Sequence, residues 1–269
     1  MTEDVLPKIS VIMGVYNMAS CEDILHAAIK SILEQSYKDF EFIICDDGSS
    51  DDTYSLLQGF SLKDSRIVLL QNKCNIGLAA TLNKCIKYAK GKFIARMDSD
   101  DMSDKLRLEK ELDFLEKHTE FAMVGSCVNL FSANGVWGIR DVEEYPAKKS
   151  FLFNSPFVHP SIMMRKKVFV ELGGYRVAKE TLRAEDYDLF MRLYALGYRG
   201  YNLQENLLSY REDDNAYKKR KYKYRIDETI VRYIGFKKLG LLPRYVLYVV
   251  KPLIVGLVPQ SIINKLKYR

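Results

Sequence analysis

The chain has 269 residues, 48% of them hydrophobic and 12% aromatic, with a net charge of +6. This composition excludes a disordered or fibrous polypeptide and leaves room for one large α/β domain with an extension. Charge is unevenly placed: residues 1–210 carry 26 basic and 30 acidic side chains, whereas residues 211–269 carry 15 and 5. A slightly acidic body thus leads into a basic tail suited to an anionic surface. The cysteines, at 21, 45, 74, 85 and 127, are odd in number and form no CxxC pair, as expected of free thiols in a reducing compartment. The start, MTEDVLPK, has no apolar run of the secretory type, so a cytoplasmic location is expected.

From residue 8 the pattern alternates. KISVIMGVY (8–16) is too short and too β-branched for a helix and reads as a strand. CEDILHAAIKSILEQS (21–36) has apolar residues at helical spacing, with Ser20 and Asp23 placed as a capping box. FEFIICD (40–46) is a second strand, and SDDTYSLLQGF (50–60) opens like a helix with acidic residues in its first turn. RIVLLQ (66–71) is a third strand. GLAATLNKCIKYAKG (77–91) is a helix that stops at Gly91. KFIARM (92–97) is a fourth strand, and residues 104–118 an amphipathic helix. FAMVGSCVNLF (121–131) reads as a further strand and SANG (132–135) as a turn. Beyond Pro146 the regularity fades: VHPSIMMR (158–165) reads as a strand, KKVFVELGGY (166–175) as a short helix, and AEDYDLFMRLYALGY (184–198) as a helix with acidic residues at its start. Strands alternating with helices predict a mainly parallel sheet covered on both faces. Ligands of such sheets bind beyond the carboxyl ends of the strands. Tyr16 and Asn17, Asp46 to Gly48, and Asp98 to Asp100 all fall there.

The stretch FIARMDSDD (93–101) sets three carboxylates directly after an apolar strand. Their repulsion raises at least one pKa unless a cation intervenes, and Asp oxygens are hard ligands suited to Mg²⁺ or Mn²⁺. A solvated acidic loop capping the next helix is the alternative. DDGSSDDT (46–53) suits a turn and helix N-cap, or a carboxylate accepting a nucleobase N–H. Glu185, Asp186 and Asp188 either complement a helix dipole or supply a general base. His159, in VHPS, suits a structural hydrogen bond. A GxGxxG motif after the first strand and a GxxxxGK[ST] motif are both absent.

Taken in order, ISVIMGVYN, SILEQSYKDFEFIICDDGSSDDT, NIGLAATLNKCIKYAKGKFIARMDSDD, HPSIMMRKKVFVELGGY and AEDYDLFMRL resemble the inverting family 2 glycosyltransferases of bacterial polysaccharide type, over about residues 8 to 211. The resemblance implies a GT-A fold: a mixed, mainly parallel Rossmann-like α/β sheet flanked by helices. It implies a catalytic domain over 1–211 and a basic, partly apolar helical extension over 212–269. Gly14 and Tyr16 would border the base of a nucleotide-sugar, and Asp47, with Asp46, would bind its edge. Asn75, Gly77 and Asn83 would lie near the sugar-nucleotide. Asp98 and Asp100 match the DXD motif, Asp100 binding Mn²⁺ or Mg²⁺ and Asp98 the metal or the ribose. Asp186 would be the catalytic base, with His159 and Glu185 as acceptor or phosphate contacts. Ala80 stands where many members carry Arg or another polar residue. The QxxRW motif of processive members is absent, which implies single addition.

The expected reaction is transfer from a UDP-linked donor to a glycan or lipid-linked acceptor hydroxyl. A sugar nucleotidyltransferase and a catalytically silent nucleotide-sugar-binding protein are the alternatives. YKKRKYKYR (217–225) and the more apolar 244–269 suggest an interfacial anchor on an anionic membrane surface, hence a peripheral position on the cytoplasmic face, with a packed helical hairpin or an oligomer contact as the other readings. Its longest apolar runs fall short of the ~20 residues a spanning helix needs. Nucleic acid is not an expected partner, since no recognition module accompanies the basic tail.

Overall fold

The computed structural model describes residues 6–212 and 222–257. Four parallel strands form one half of the sheet, buried except at the edge strand β3: β1 (Ile9–Val15), β2 (Phe40–Asp46), β3 (Ile67–Gln71) and β4 (Phe93–Arg96). The helices between them are α1 (Glu22–Leu33), α2 (Thr53–Ser61) and α3 (Leu78–Tyr88). After the two-residue β5 (Met102–Ser103) come α4 (Arg107–Lys117), β6 (Met123–Ser132) and β7 (Gly135–Arg140). β8 (Met163–Arg165), α5 (Lys166–Glu171), α6 (Glu185–Ala195) and β9 (Gly200–Arg211) follow. The strand order is β3-β2-β1-β4-β8-β6-β9-β5, with β7 on β6. β8 is antiparallel to both β4 and β6, so the sheet is mixed at its centre.

Alternation along the strands builds two cores. Val11 and Met13 of β1, with Phe42 and Ile44 of β2, meet α1, α2 and α4 on one face. Ile12, Ile43 and Cys45 meet α3 and α6 on the other. Gly91 is not the stop of α3, which ends at Tyr88 with an extended Ala89. It lets the chain pass β1, where an added Cβ would lie 2.6 Å from the Ser10 nitrogen.

Three local expectations change. The Ser20–Asp23 capping box does not form: a 3-10 turn, Ala19–Cys21, precedes α1, and its N-cap has no side-chain bond. Side chains of the β2–α2 loop hold this entry instead. Ser49, Thr53 and Asp51 accept the N–H groups of Asn17, Met18 and Ala19. The acidic residues of 50–52 precede α2, where Asp51 accepts the N–H of Thr53 at 3.1 Å. Residues 158–165 form a strand only from Met163; His159–Ser161 is a 3-10 turn. β9, twelve residues long and parallel to β6, was not expected at all.

The extension packs on the same core. α7 (Lys223–Lys238) and α8 (Val246–Leu257) contribute Val231, Phe236 and Val249 to the α6 side. Arg232, 2% exposed, donates to the carbonyls of Leu152 and Phe153, each at 3.0 Å. The described part of 212–269 is therefore a hairpin layer of the domain. Residues 217–221 and 258–269 of the expected anchor lie outside the described residues. No helix among the described residues is long and apolar enough to cross a membrane.

Candidate active site

The apolar run of β4 carries one charge, Arg96, and it is 1% exposed. Its guanidinium pairs with Asp98. The chain then turns so that Asp98, Asp100 and Asp101 each bring a carboxylate oxygen to within 4.8 Å of the others. Arg211 of β9 ties this turn down: its N–H donates to Asp101 Oδ1 at 2.8 Å and its Nε to the Asp100 carbonyl at 3.1 Å. Burial, then the neighbouring Asp98 charge, pushes the Asp100 carboxyl up to about 6. The same causes, with Asp100 added, hold Asp101 well above the usual carboxylate range.

These residues fit a divalent cation. Asp101 Oδ2 is buried without a hydrogen-bond partner, and burial with mutual repulsion raises the Asp100 and Asp101 carboxyls, as expected where the described residues leave the converging acids under-compensated. Three hard oxygen donors suit Mg²⁺ or Mn²⁺. Asp101 stands with the expected pair Asp98 and Asp100, and Asp98 is also engaged by Arg96.

Across a cavity of about 610 Å³, lined by Arg96, Asp98 and His159, stand Glu185 and Asp186 at the start of α6. Burial raises both carboxyls. Glu185 reaches about 7, its closeness to Asp186 adding to the shift; Asp186 moves the same way although it accepts the Tyr187 N–H at 2.7 Å. Asp188 turns away into ion pairs with Arg176 (2.9 Å) and Arg192 (2.7 Å), a structural role. His159 shares a 2.7 Å hydrogen bond between Nε2 and the Tyr175 hydroxyl. Burial and the Arg96 charge push it well below its usual value, so it is neutral at pH 7 and brings no charge to a phosphate. Burial also raises the Tyr175 hydroxyl far above its usual value.

The other expected residues divide. Tyr16 is 46% exposed just past the end of β1, open to a stacking partner. Gly14 lies against α3, where an added Cβ would be 3.1 Å from Leu78. Asp47 is 4% exposed and occupied by the protein: it accepts from Asn72 Nδ2 (2.9 Å) and from the N–H groups of Ile76 (3.0 Å) and Gly77 (2.9 Å). It shapes the 75–77 loop, on which Asn75 is exposed. Asp46 keeps one oxygen, Oδ1, buried and unbonded. Asn83 is engaged by the protein. Its amide brackets the Tyr175 backbone, Nδ2 to the carbonyl and Oδ1 from the N–H, each at 2.8 Å. Gly174 (φ +71) permits this, since a Cβ there would lie 2.4 Å from Asn83 Oδ1. Sequence reasoning missed Arg96, Tyr175 and Arg107. Arg107 joins the Arg96 carbonyl (3.1 Å) to that of Pro160 (2.6 Å). Charged residues in apolar runs were the available signal for Arg96.

Strand order, the acidic turn after β4 and the facing carboxylates of α6, together with the family its sequence matches, define the class: a glycosyltransferase of the GT-A fold. Residues 10–173 match glycosyl transferase family 2, and the chain belongs to that family. EpsE of Bacillus subtilis (strain 168), provisionally named a glycosyltransferase, is 44% identical over 260 residues, 96% of this chain and 92% of that protein. WfaP of Escherichia coli, named a UDP-Glc:α-D-GlcNAc-diphosphoundecaprenol β-1,3-glucosyltransferase, is 28% identical over 232 residues, 85% of this chain and 87% of that one. The solved structure of Staphylococcus aureus TarS 1–349 in complex with UDP-GlcNAc has a TM-score of 0.70 and 19% identity, over 93% of this chain and 72% of that one, a likeness of fold. Membership of the family replaces the nucleotidyltransferase and silent-protein alternatives.

Proposed function

We propose that the protein transfers a sugar, with inversion, from a UDP-linked donor to a hydroxyl of a lipid-linked glycan, as a single addition in polysaccharide assembly at the cytoplasmic face of a membrane. The observation that carries this reading is the cavity on which Asp98 of the acidic turn and Glu185 and Asp186 of α6 converge. Donor and acceptor chemistry of this kind is named for WfaP, and UDP-GlcNAc is bound by TarS. Tyr16, 46% exposed past the end of β1, stacks on the base. Asp98, Asp100 and Asp101 hold a divalent cation. When bound, that ion neutralises charge growing on the departing diphosphate. Asp186 takes the proton of the attacking hydroxyl, a role typically worth about 10²–10⁴ in rate. Its raised proton affinity makes it a better base than a solvated Asp.

The test is a panel of sugar-nucleotides with Mn²⁺, read by thermal shift and by release of nucleoside diphosphate. Asp186→Asn is expected to bind donor normally while transfer collapses; Asp100→Ala is expected to lose metal-dependent donor binding. Joint loss of binding and transfer in Asp186→Asn would make that residue structural.

The membrane contact rests on the extension. From the N-cap of α7 onward, Tyr222, Ile226, Ile230 and Tyr233 are 44%, 47%, 42% and 52% exposed, a spacing that lines one helical side. Leu247, Ile254 and Leu257 of α8 are exposed too, in a segment with ten more basic than acidic residues. Sedimentation with anionic liposomes at low salt tests it; a protein that stays in the supernatant refutes it.

A further inference from the structure

Two cavities meet beside the proposed base. The polar one holds Asp98 and Asp186. Its neighbour, about 410 Å³, runs between the start of α3 and residues 177–183 and is lined by Ile76, Leu78, Ala80, Val177 and Leu182. Leu78, Arg183 and Glu185 belong to both. From Asp186, which lines the polar cavity alone, the wall passes through the shared junction of Arg183, Glu185 and Leu78 to Ile76, Val177 and Leu182, which line the apolar cavity alone.

Arg183 is built for this junction. It is exposed, and its φ of +68° is a left-handed conformation that a side chain of this size rarely adopts. At that turn the Arg183 side chain borders both cavities, beside Glu185. The other arginines of the polar cavity are engaged: Arg96 by Asp98, and Arg140 by Glu212 at 3.2 Å. Arg183 has no carboxylate partner among the described residues; its guanidinium lies 5.5 Å from the ring of Tyr224, a contact that leaves its N–H fork available.

We propose that Arg183 and the apolar groove form a subsite for a lipid phosphate or diphosphate, the anionic link of a lipid-borne acceptor. This rests on the glycosyltransferase reading of the same cleft and adds where the acceptor lies. An acceptor whose parts run sugar hydroxyl, phosphate, hydrocarbon matches the order of the wall. The guanidinium fork takes phosphate oxygens bidentately, and the first lipid carbons lie along Leu78, Val177 and Leu182.

Farnesyl diphosphate, a short probe with the same phosphate–hydrocarbon junction, tests the subsite by calorimetry on the full chain with Mn²⁺ and saturating UDP. The wild type is expected to bind it. Arg183→Ala is expected to weaken binding by about tenfold or more, the usual size of a charge-assisted contact, with partial rescue in Arg183→Lys. Val177→Glu, at a 60% exposed position, is expected to weaken farnesyl diphosphate but not inorganic pyrophosphate. UDP affinity is expected to be the same in all variants. If Arg183→Ala weakens UDP and farnesyl diphosphate equally, the guanidinium serves the donor and the proposal is wrong. It is also wrong if farnesyl diphosphate fails to bind or ignores Arg183. Either failure with sugar-nucleotide turnover intact leaves the glycosyltransferase reading standing. Absence of both donor binding and turnover would instead overturn that reading.

Discussion

Asp100→Asn separates the cost of the acidic turn from its use. In the folded protein the Asp100 carboxyl sits near 6, against 3.8 for its ordinary value. Between these values the native state binds more protons than the unfolded one, so this group makes stability fall as pH rises. Two pKa units correspond to about 3 kcal/mol, fully expressed above pH 6 and absent below about pH 4. Asn keeps the shape without the charge. The metal-free variant is therefore expected to be more stable than wild type at pH 7.5, by up to about 3 kcal/mol. The difference is expected to shrink to nothing toward pH 4. Urea denaturation in EDTA at pH 4, 5, 6 and 7.5 measures it. Mn²⁺ added at pH 7.5 is expected to stabilise the wild type and to do far less for Asp100→Asn, because a ligand that binds only the folded state raises its stability. A variant equal to or weaker than wild type at every pH would refute the claim that uncompensated carboxylate charge is stored here.

Two further outcomes follow from the site. Asn83→Ala removes two hydrogen bonds to the Tyr175 backbone and is expected to cost about 2 kcal/mol in denaturation, with UDP affinity per folded molecule unchanged; a tenfold loss of UDP affinity at unaltered stability would put Asn83 in the donor site. Glu185 at about 7 gives the cleft a group that ionises near neutrality. Its carboxylate forms as pH rises past that value, and a pH–rate profile of the wild type is expected to show an inflection there. In Glu185→Gln the inflection is expected to vanish or move to lower pH, whereas an unmoved profile would assign it to another group.

The first half of the fold was legible because each of β1 to β4 is a short apolar run closed by turn residues. β9 was not, since Asn202, Gln204, Glu205 and Asn206 interrupt it and its ladder with β6 slips at Cys127. How the extension packs was hidden for a different reason. Charge there points inward as well as outward: Arg232 and Asp227 are buried, while Leu247 and Ile254 are exposed. Composition alone cannot show which side of a helix a core takes. At the site, DSDD was legible from local spacing. The division between Asp46 and Asp47 was not, because the loop that occupies Asp47 lies some thirty residues on, and Asn83 answers to a backbone 92 residues away.

Arg96 explains why the acidic turn and the start of α6 behave as one site. Its buried charge lowers the proton affinity of Asp100, Asp101, Glu185 and Asp186, and it helps hold His159 neutral. Yet all four carboxyls remain raised, because one cation paired to Asp98 does not offset the burial of so many acids. Among the described residues the acids thus outnumber the cations at two places in the cleft, the acidic turn and the wall beside Glu185. A divalent ion at the first answers one deficit. The left-handed turn that brings Arg183 to the second places a cation beside Glu185 without pairing it, which leaves that charge for an anionic substrate.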